Sequence, residues 1–320
     1  MRIGFLMDPL DNLRVDHDST FALMLECQGR GFETRELRQE WLFFAGGAAR
    51  SRMRTVALER RPGAHFRVLS DADAPLSELD VLFLRKDPPV DVEFLLATQL
   101  AELGPGPLWI NHPAGLRAAN EKLFALRFPD LVPATLVSRE IPRLRAFLEA
   151  QGGDGVVKPL DGFGGLGVVR LRRGDSNFSA LLETSTHGGR VAVMAQAYLP
   201  AVKEGDKRII VLDGEPIGAV LRVPAQGELR ANFASGGSAA PGPLTARDRE
   251  ICRRLAPSLR EHGLWFVGID VIGGKLTEVN VTSPTGLVEI DALTGESLEA
   301  RVVDFALARA GLRGRAAAGM

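Results

Sequence analysis

Residues 156–169 read VVKPLDGFGGLGVV, in which Gly162, Gly164 and Gly167 keep the spacing G-x-G-x-x-G and Gly165 adds a fourth glycine. Glycine lets a backbone come close to a ligand, so the flanking sequence decides what is approached. A dinucleotide site needs a helix opening at the last glycine, so that pyrophosphate meets its N-terminus. Here Val168-Val169-Arg170-Leu171-Arg172-Arg173 follows instead, β-branched and short, and it stops at Gly174-Asp175. That pattern is a second strand. No Gly-Lys-Ser/Thr closes the glycines as a P-loop would. What remains is a glycine-rich flap between two antiparallel strands, with Lys158 on the first, a device kinases use to cover ATP phosphates. A hairpin loop that binds nothing has the same spacing, so the flap needs support from the rest of the chain.

The order of elements gives some. Arg2–Met7 is a buried-strand pattern, and apolar residues at helical spacing follow from Ser19 to Arg30. Val81–Leu84 and Leu108–Asn111 are further short apolar strands, separated by a helical stretch over 91–103. Strand–helix alternation to about residue 120 predicts a parallel α/β unit, whose ligands bind beyond the carboxyl ends of the strands. After a short helix over 120–128 come a strand at 135–138, a helix at 142–151, the flap, a helix near 177–187 and a strand at 191–196. The remainder reads strand, hairpin, long helix (245–262), hairpin and final helix (296–310), an α+β pattern. Residues 224–243, rich in Gly, Ala and Ser without periodicity, read as a mobile loop.

Composition narrows the function. In 320 residues, 39 Lys+Arg against 40 Asp+Glu leave a formal charge of -1, which proposes neither a nucleic-acid nor an anionic-membrane partner. Local basic clusters then read as sites for small anions. Cys27 and Cys252 are too few for a disulfide framework, and no spacing of Cys or His suggests zinc. The opening MRIGFLMDPLD is too short and polar for a signal peptide or a span, so a reducing cytoplasm is expected.

Chemistry concentrates in three places. Asp270, Glu278 and Asn280 lie on two strands joined by Gly273-Gly274-Lys275. With all three joining residues in the turn, Asp270 faces Glu278 and Asn280 points the same way. A two-residue Gly-Gly turn would pair Asp270 with Thr277 and split the cluster. Hard oxygens shared with nucleotide phosphates suit Mg²⁺. Lys122 and Lys158 are candidates for ATP phosphates. Arg208 and Arg222 end the two strands of a hairpin whose turn is Asp213-Gly214, and paired arginines hold carboxylates or phosphates bidentately.

With these parts in place, the chain resembles the bacterial glutathione synthetases of the ATP-grasp superfamily. The matching residues span nearly its whole length: MDP at 7–9 with Asp18-Ser19-Thr20-Phe21, LRKDPP at 84–89, NEKLFAL at 120–126, KPLDGFGG at 158–165, AQAYLP at 195–200, GDKR at 205–208, GID at 268–270 and TEVNVTSPTG at 277–286. The resemblance implies an ATP-grasp fold, α/β with α+β character in its C-terminal half. It implies an N-terminal parallel α/β domain (1–120), a grasp subdomain carrying the flap (121–195), a second carrying the metal site (196–313) and a disordered tail (314–320). It also implies roles. Lys122 and Lys158 bind phosphates under Gly162, Gly164, Gly165 and Gly167, and the backbone of Gln196, Ala197, Tyr198 and Leu199 holds adenine. Asp270, Glu278 and Asn280 hold Mg²⁺ or Mn²⁺. Arg208 and Arg222 stabilise the transferred phosphoryl group and substrate carboxylates, while Asp206, Asn232, Ser283 and Thr285 line the substrate side. The flap has Phe163 where the family commonly has Met.

The implied reaction ligates γ-glutamylcysteine and glycine with ATP, through an acyl phosphate, in a cytoplasmic homo-oligomer (dimer or tetramer). It needs no side-chain nucleophile, and no persuasive Ser-His or Cys-His arrangement is present. The rival expectations are another ATP-grasp carboxylate–amine ligase and a nucleotide-binding regulator without turnover.

Overall fold

The computed structural model describes residues 1–228 and 230–311; the tail expected to be disordered, 314–320, lies outside the described residues. Three sheets organise the chain. In the first, Arg2–Met7 lies between Glu33–Leu37 and Val81–Arg85, and Leu108–Ile110 follows outside Val81–Arg85, all in parallel. Residues 42–75 extend this sheet with three antiparallel strands that the strand–helix alternation does not predict. Their signal is period-two burial: Ala49, Ser51 and Met53 are buried, while Arg52 between them is exposed. The arginines mask that alternation in the sequence.

The second sheet is antiparallel throughout, in the order Val169–Arg172, Asp154–Pro159, Val193–Ala197, Thr135–Ser138. Val169 pairs with Val157, so the glycines at 162–167 do connect two antiparallel strands. Helices Ile141–Ala150 and Phe178–Ser185 cover one face, where Leu144, Leu148, Val157 and Leu182 form a small core of their own.

The third sheet runs Ser238–Pro241, Glu215–Val223, Asp206–Leu212, Phe266–Ile272, Lys275–Asn280. Within the stretch expected to be loop alone, Ser238–Pro241 forms an edge strand and Phe233–Ser235 a short 3-10 turn. Helix Ala246–Glu261 starts at a reciprocal cap between Thr245 and Asp248. It packs Ile251, Leu255 and Leu259 on the face carrying Ile209, Val211 and Ile269. On the opposite face, Ile210 and Leu212 pack under helices Leu287–Thr294 and Leu298–Arg309. Asp206 and Arg208 continue that second face beyond the helices, and the polar site is built there.

Two hairpins set its register. Asp213 and Gly214, at φ 49° and 79°, form the two-residue turn between Asp206–Leu212 and Glu215–Val223. Gly273 and Gly274, at φ 55° and 74°, form another, because Ile272 pairs with Lys275 and Val271 with Leu276. A bulge at Thr277 then restores the pairing of Asp270 with Glu278. Both turn readings of the sequence were therefore incomplete: the turn is short, and the bulge keeps the cluster together.

The first sheet is tied to the third by Asn111. Its Nδ2 donates to the carbonyls of Phe266 and Val281 at 2.7 Å each, and its Oδ1 accepts from Phe266 N at 2.8 Å.

Candidate active site

Residues directly opposed in antiparallel strands share a face, as do residues two apart in one strand. The pairings Asp206 with Arg222, Arg208 with Asp270 and Asp270 with Glu278 therefore place all five side chains, and Asn280, on one side of the third sheet. Asp270 is the hub. Arg208 donates to it through Nε (2.6 Å) and Nη2 (3.0 Å), Arg222 Nη2 stands 3.0 Å from its Oδ2, and Asn280 Nδ2 donates to the same oxygen at 3.3 Å. Arg222 Nη2 also donates to Asp206 Oδ2 at 2.6 Å, and Arg208 Nη1 to the Thr285 carbonyl at 3.2 Å.

These charges are buried: Asp270 and Arg222 are each 2% exposed. Burial works to raise the Asp270 carboxyl, but Arg208 and Arg222 outweigh it and hold it below the usual carboxylate range. Asp206 goes the other way. Its burial outweighs the pull of Arg222 and lifts it to about 6. Burial opposes the charge on Arg222 too, yet Asp206 and Asp270 keep its guanidinium firmly protonated.

Across the cleft, the second sheet and the junction before it contribute the lysines. Lys122 and Lys158 are nearly buried and converge on Glu278 Oε1, at 3.9 and 4.0 Å. Lys122 Nζ donates to the Gly162 carbonyl at 2.5 Å, and Asn120 Nδ2 to that of Leu160 at 2.9 Å, so the root of the flap is fastened from below. On the other side Ser235 Oγ donates to the Gly164 carbonyl at 3.1 Å. Gly164, Gly165 and Gly167 all have positive φ. A Cβ on Gly165 would stand 2.9 Å from Arg230 Cδ and Asn232 Oδ1, so a side chain there would have to push both aside.

Between the two sheets lies a narrow cleft, with about 100 Å³ of free volume. It is lined by Lys158, Gln196, Ala197, Tyr198, Leu199, Gly165, Asp270 and Glu278, all expected from the sequence at the nucleotide–metal end. Asp206 and Asn232, expected on the substrate side, line the same cleft. Val156, Val168, Val202 and Ile272 supply an apolar slot that sequence reasoning did not single out, because such residues look like any core. Thr277 is also there, its Oγ1 donating to the Asp270 carbonyl at 3.1 Å across the bulge.

A second, wider cleft opens between the first sheet and the loop after Asn280, lined by Arg14, His17, Asp18, Ser238, Thr285 and Glu289 among others. Thr285 is thus exposed at its wall, whereas Ser283 is half-buried in the same loop and lines neither cleft. His17 Nδ1 lies 3.2 Å from Glu289 Oε1, and Glu289 Oε2 is buried without a hydrogen-bond partner. Near this cleft Arg85 is buried at the carboxyl end of its strand, donating from Nε to Thr20 Oγ1 (3.0 Å) and from Nη2 to the Pro284 carbonyl (2.9 Å). Burial lowers its guanidinium to about 10 against the pull of Asp18 and Asp87. Its position at a strand end was the available signal.

The donor set suits a hard divalent cation. Asp270, Glu278 and Asn280 offer carboxylate and amide oxygens, and Glu278 Oε1 sits beyond hydrogen-bond distance of both lysines. Among the described residues no group of three or more His, Cys, Asp or Glu forms a metal cluster. Mg²⁺ seldom needs one, because it keeps waters and shares nucleotide phosphates.

Comparison with known proteins agrees with this geometry. Residues 1–117 match the family described as prokaryotic glutathione synthetase, N-terminal domain, and residues 121–295 match its ATP-grasp domain. The chain is 45% identical over 312 residues to a glutathione synthetase of Escherichia coli O127:H6, covering 97% of this chain and 98% of that one. It is 47% identical over 307 residues to the glutathione synthetase of Pseudomonas putida, covering 95% and 96%. Among solved structures, D-cycloserine synthetase DcsG superposes with a TM-score of 0.66 at 18% identity, covering 97% of this chain and 99% of that one. ATP-grasp ligase PsnB, complexed with its minimal precursor, superposes at 0.62 and 18%, covering 96% and 98%. At that identity the structural likeness speaks for the ATP-grasp fold alone; the sequence matches go further, and by them the chain belongs to the prokaryotic glutathione synthetase family.

Proposed function

We propose that this chain ligates γ-glutamylcysteine and glycine with ATP in the cleft between its second and third sheets, releasing glutathione, ADP and phosphate. One observation carries the assignment of the site: Lys122, Lys158 and Glu278 converge beneath a glycine flap, at the end of an apolar slot and beside two buried arginines. A polyphosphate fits the lysines and the flap, an adenine fits the slot, and a carboxylate fits the arginines.

A carboxylate is a poor electrophile. Its oxygen attacks the γ-phosphoryl group, ADP leaves, and the resulting acyl phosphate has a leaving group that glycine's amine displaces as phosphate. Asp270, Glu278 and Asn280 would hold Mg²⁺ or Mn²⁺, which when bound neutralises charge on the transferring phosphoryl group. Lys122 and Lys158 orient the phosphates, and the flap from Gly162 to Gly167 keeps water from the acyl phosphate. Arg222 presents its unpaired Nε to the reacting carboxylate, and Asp206 its unpaired Oδ1 to a donor in the nucleotide cleft. The γ-glutamyl end of the peptide carries an ammonium and a carboxylate. Glu289 and Arg14 in the second cleft offer one partner to each, supported by the buried free oxygen of Glu289.

We keep 1–120, 121–195 and 196–313 as three units, with the second-sheet strand Val193–Ala197 running across the last boundary, and we expect copies of the chain to associate in the cytoplasm. Both cysteines are free and buried, with thiols that burial pushes up to about 12, which suits a reducing compartment. No helix among the described residues is long and apolar enough to cross a membrane. ADP release measured against a panel of γ-glutamyl dipeptides and amino-acid acceptors tests the substrate reading. The pair γ-glutamylcysteine and glycine should give the highest kcat/KM; a clearly better pair would assign a different ligase.

A further inference from the structure

Asp270 stands where a substrate carboxylate would stand. Arg208 grips it through Nε and Nη2, at 2.6 and 3.0 Å, the fork geometry by which arginine recognises any carboxylate. With Nη1 on the Thr285 carbonyl, all three Arg208 nitrogens are engaged, and Arg222 lends Nη2 to the same aspartate. The peptide's reacting carboxylate and the phosphoryl group formed on it need those donors. Asp270 also lines the nucleotide cleft beside Glu278. A carboxylate drawn to a divalent cation loosens its hold on a guanidinium, because its lone pairs are then shared.

We propose that Asp270 is a stand-in carboxylate that keeps Arg208, together with Nη2 of Arg222, occupied until metal-bound nucleotide draws it away, so that nucleotide binding arms the peptide site. The proposal rests on the reading of Asp270 as one of the metal-holding oxygens. It makes Asp270 a positioning residue for both arginines. Plain electrostatics predicts the opposite sign, since a bound polyphosphate repels an anionic peptide.

The test is calorimetric titration of γ-glutamylcysteine into the full chain under three conditions: no nucleotide, a non-hydrolysable ATP analogue alone, and the analogue with Mg²⁺. The peptide Kd should tighten about tenfold, within the ordinary range of coupling between sites, only in the third. Asp270→Asn, which cannot hold the arginines by charge, should bind peptide without nucleotide about as tightly as the wild type does with Mg²⁺ and analogue. A merely structural role would weaken binding throughout. The proposal is overturned if wild-type Kd stays the same or weakens in the third condition, or if Asp270→Asn binds more weakly than wild type without nucleotide. Should that variant fail to fold, the wild-type comparison decides alone. Peptide binding without coupling sinks this proposal and leaves the substrate reading standing; no peptide binding in any condition sinks both.

Discussion

Arg222 and Asp206 face each other across two strands, joined at 2.6 Å, yet Arg222 Nε and Asp206 Oδ1 are both buried without a partner. Leaving a buried donor and acceptor open is costly in a folded chain, and ligand groups are the natural partners for both. Loss of a charge-assisted hydrogen bond costs roughly 1.5–3 kcal/mol, so Arg222→Ala should lower kcat/KM by about one to two decades. Arg222→Lys should recover only part, because a point charge does not replace a planar fork. Breaking the buried pair also removes about 3–5 kcal/mol of stability, so the folded fraction is measured alongside. Nucleotide affinity should change much less; equal loss of nucleotide binding and turnover would place Arg222 in the nucleotide site.

The flap is held at Gly162 by Lys122 and at Gly164 by Ser235, with turn hydrogen bonds from Leu166 N to the Phe163 carbonyl and from Val168 N to the Gly165 carbonyl. Hydrogen exchange across 161–167 should slow when an ATP analogue and Mg²⁺ are added. Exchange unchanged by both would remove the flap's role. Gly165→Ala combines a positive φ with a Cβ 2.9 Å from Arg230 Cδ and Asn232 Oδ1, and should reduce kcat/KM for ATP by about tenfold or more from strain of roughly 1–2 kcal/mol.

Burial and a shared hydrogen bond with Glu299 raise the Asp291 carboxyl from its ordinary 3.8 to about 8. Between those values the folded chain keeps a proton that the unfolded chain has released, so this group's contribution to stability falls as pH rises through that window. Asparagine cannot ionise and still presents an oxygen to the Leu298 N–H, which Asp291 Oδ1 now accepts at 3.0 Å. Asp291→Asn should therefore raise Tm by a few degrees near pH 8 and by clearly less near pH 5, a modest gain because solvent screens this half-buried site. Equal Tm changes at both pH values would contradict it.

Val92, Leu96 and Leu103 follow helical spacing along the outer face of Val92–Ala101 and just beyond it, 67%, 52% and 46% exposed, with Phe44 exposed on the neighbouring strand. An apolar stripe of this kind is a candidate contact surface. If copies associate through it, Leu96→Glu should shift the chain toward monomer in light scattering while leaving its circular dichroism intact. An unchanged mass would place the contact elsewhere.

Much of this site was legible in the sequence, and the exceptions have physical causes. Lys158, the glycines and Glu278 announce themselves because charge or backbone freedom is unusual inside an apolar strand. Whether Asp270 would join them was undecidable from spacing, since the outcome depends on a bulge at Thr277 that only the packed sheet imposes. Val202 and Ile272 carry no chemical signal, so the apolar wall of the slot beside Gln196–Leu199 was not legible. The antiparallel strands at 42–75 were hidden by arginines on their exposed positions, and the burial of Arg85 depends on the distant loop at Pro284, whose carbonyl it meets.

On the proposed function, the peptide's own carboxylate is activated as an acyl phosphate in this cleft. Isotope transfer tests it most directly. γ-Glutamylcysteine labelled with ¹⁸O in its cysteine carboxylate is turned over with glycine, ATP and Mg²⁺, and the released phosphate is analysed by mass. The carboxylate oxygen that attacked the phosphoryl group must leave with it, so each phosphate should carry one ¹⁸O and the other label should remain in the new amide. Unlabelled phosphate released in step with glutathione would contradict the account.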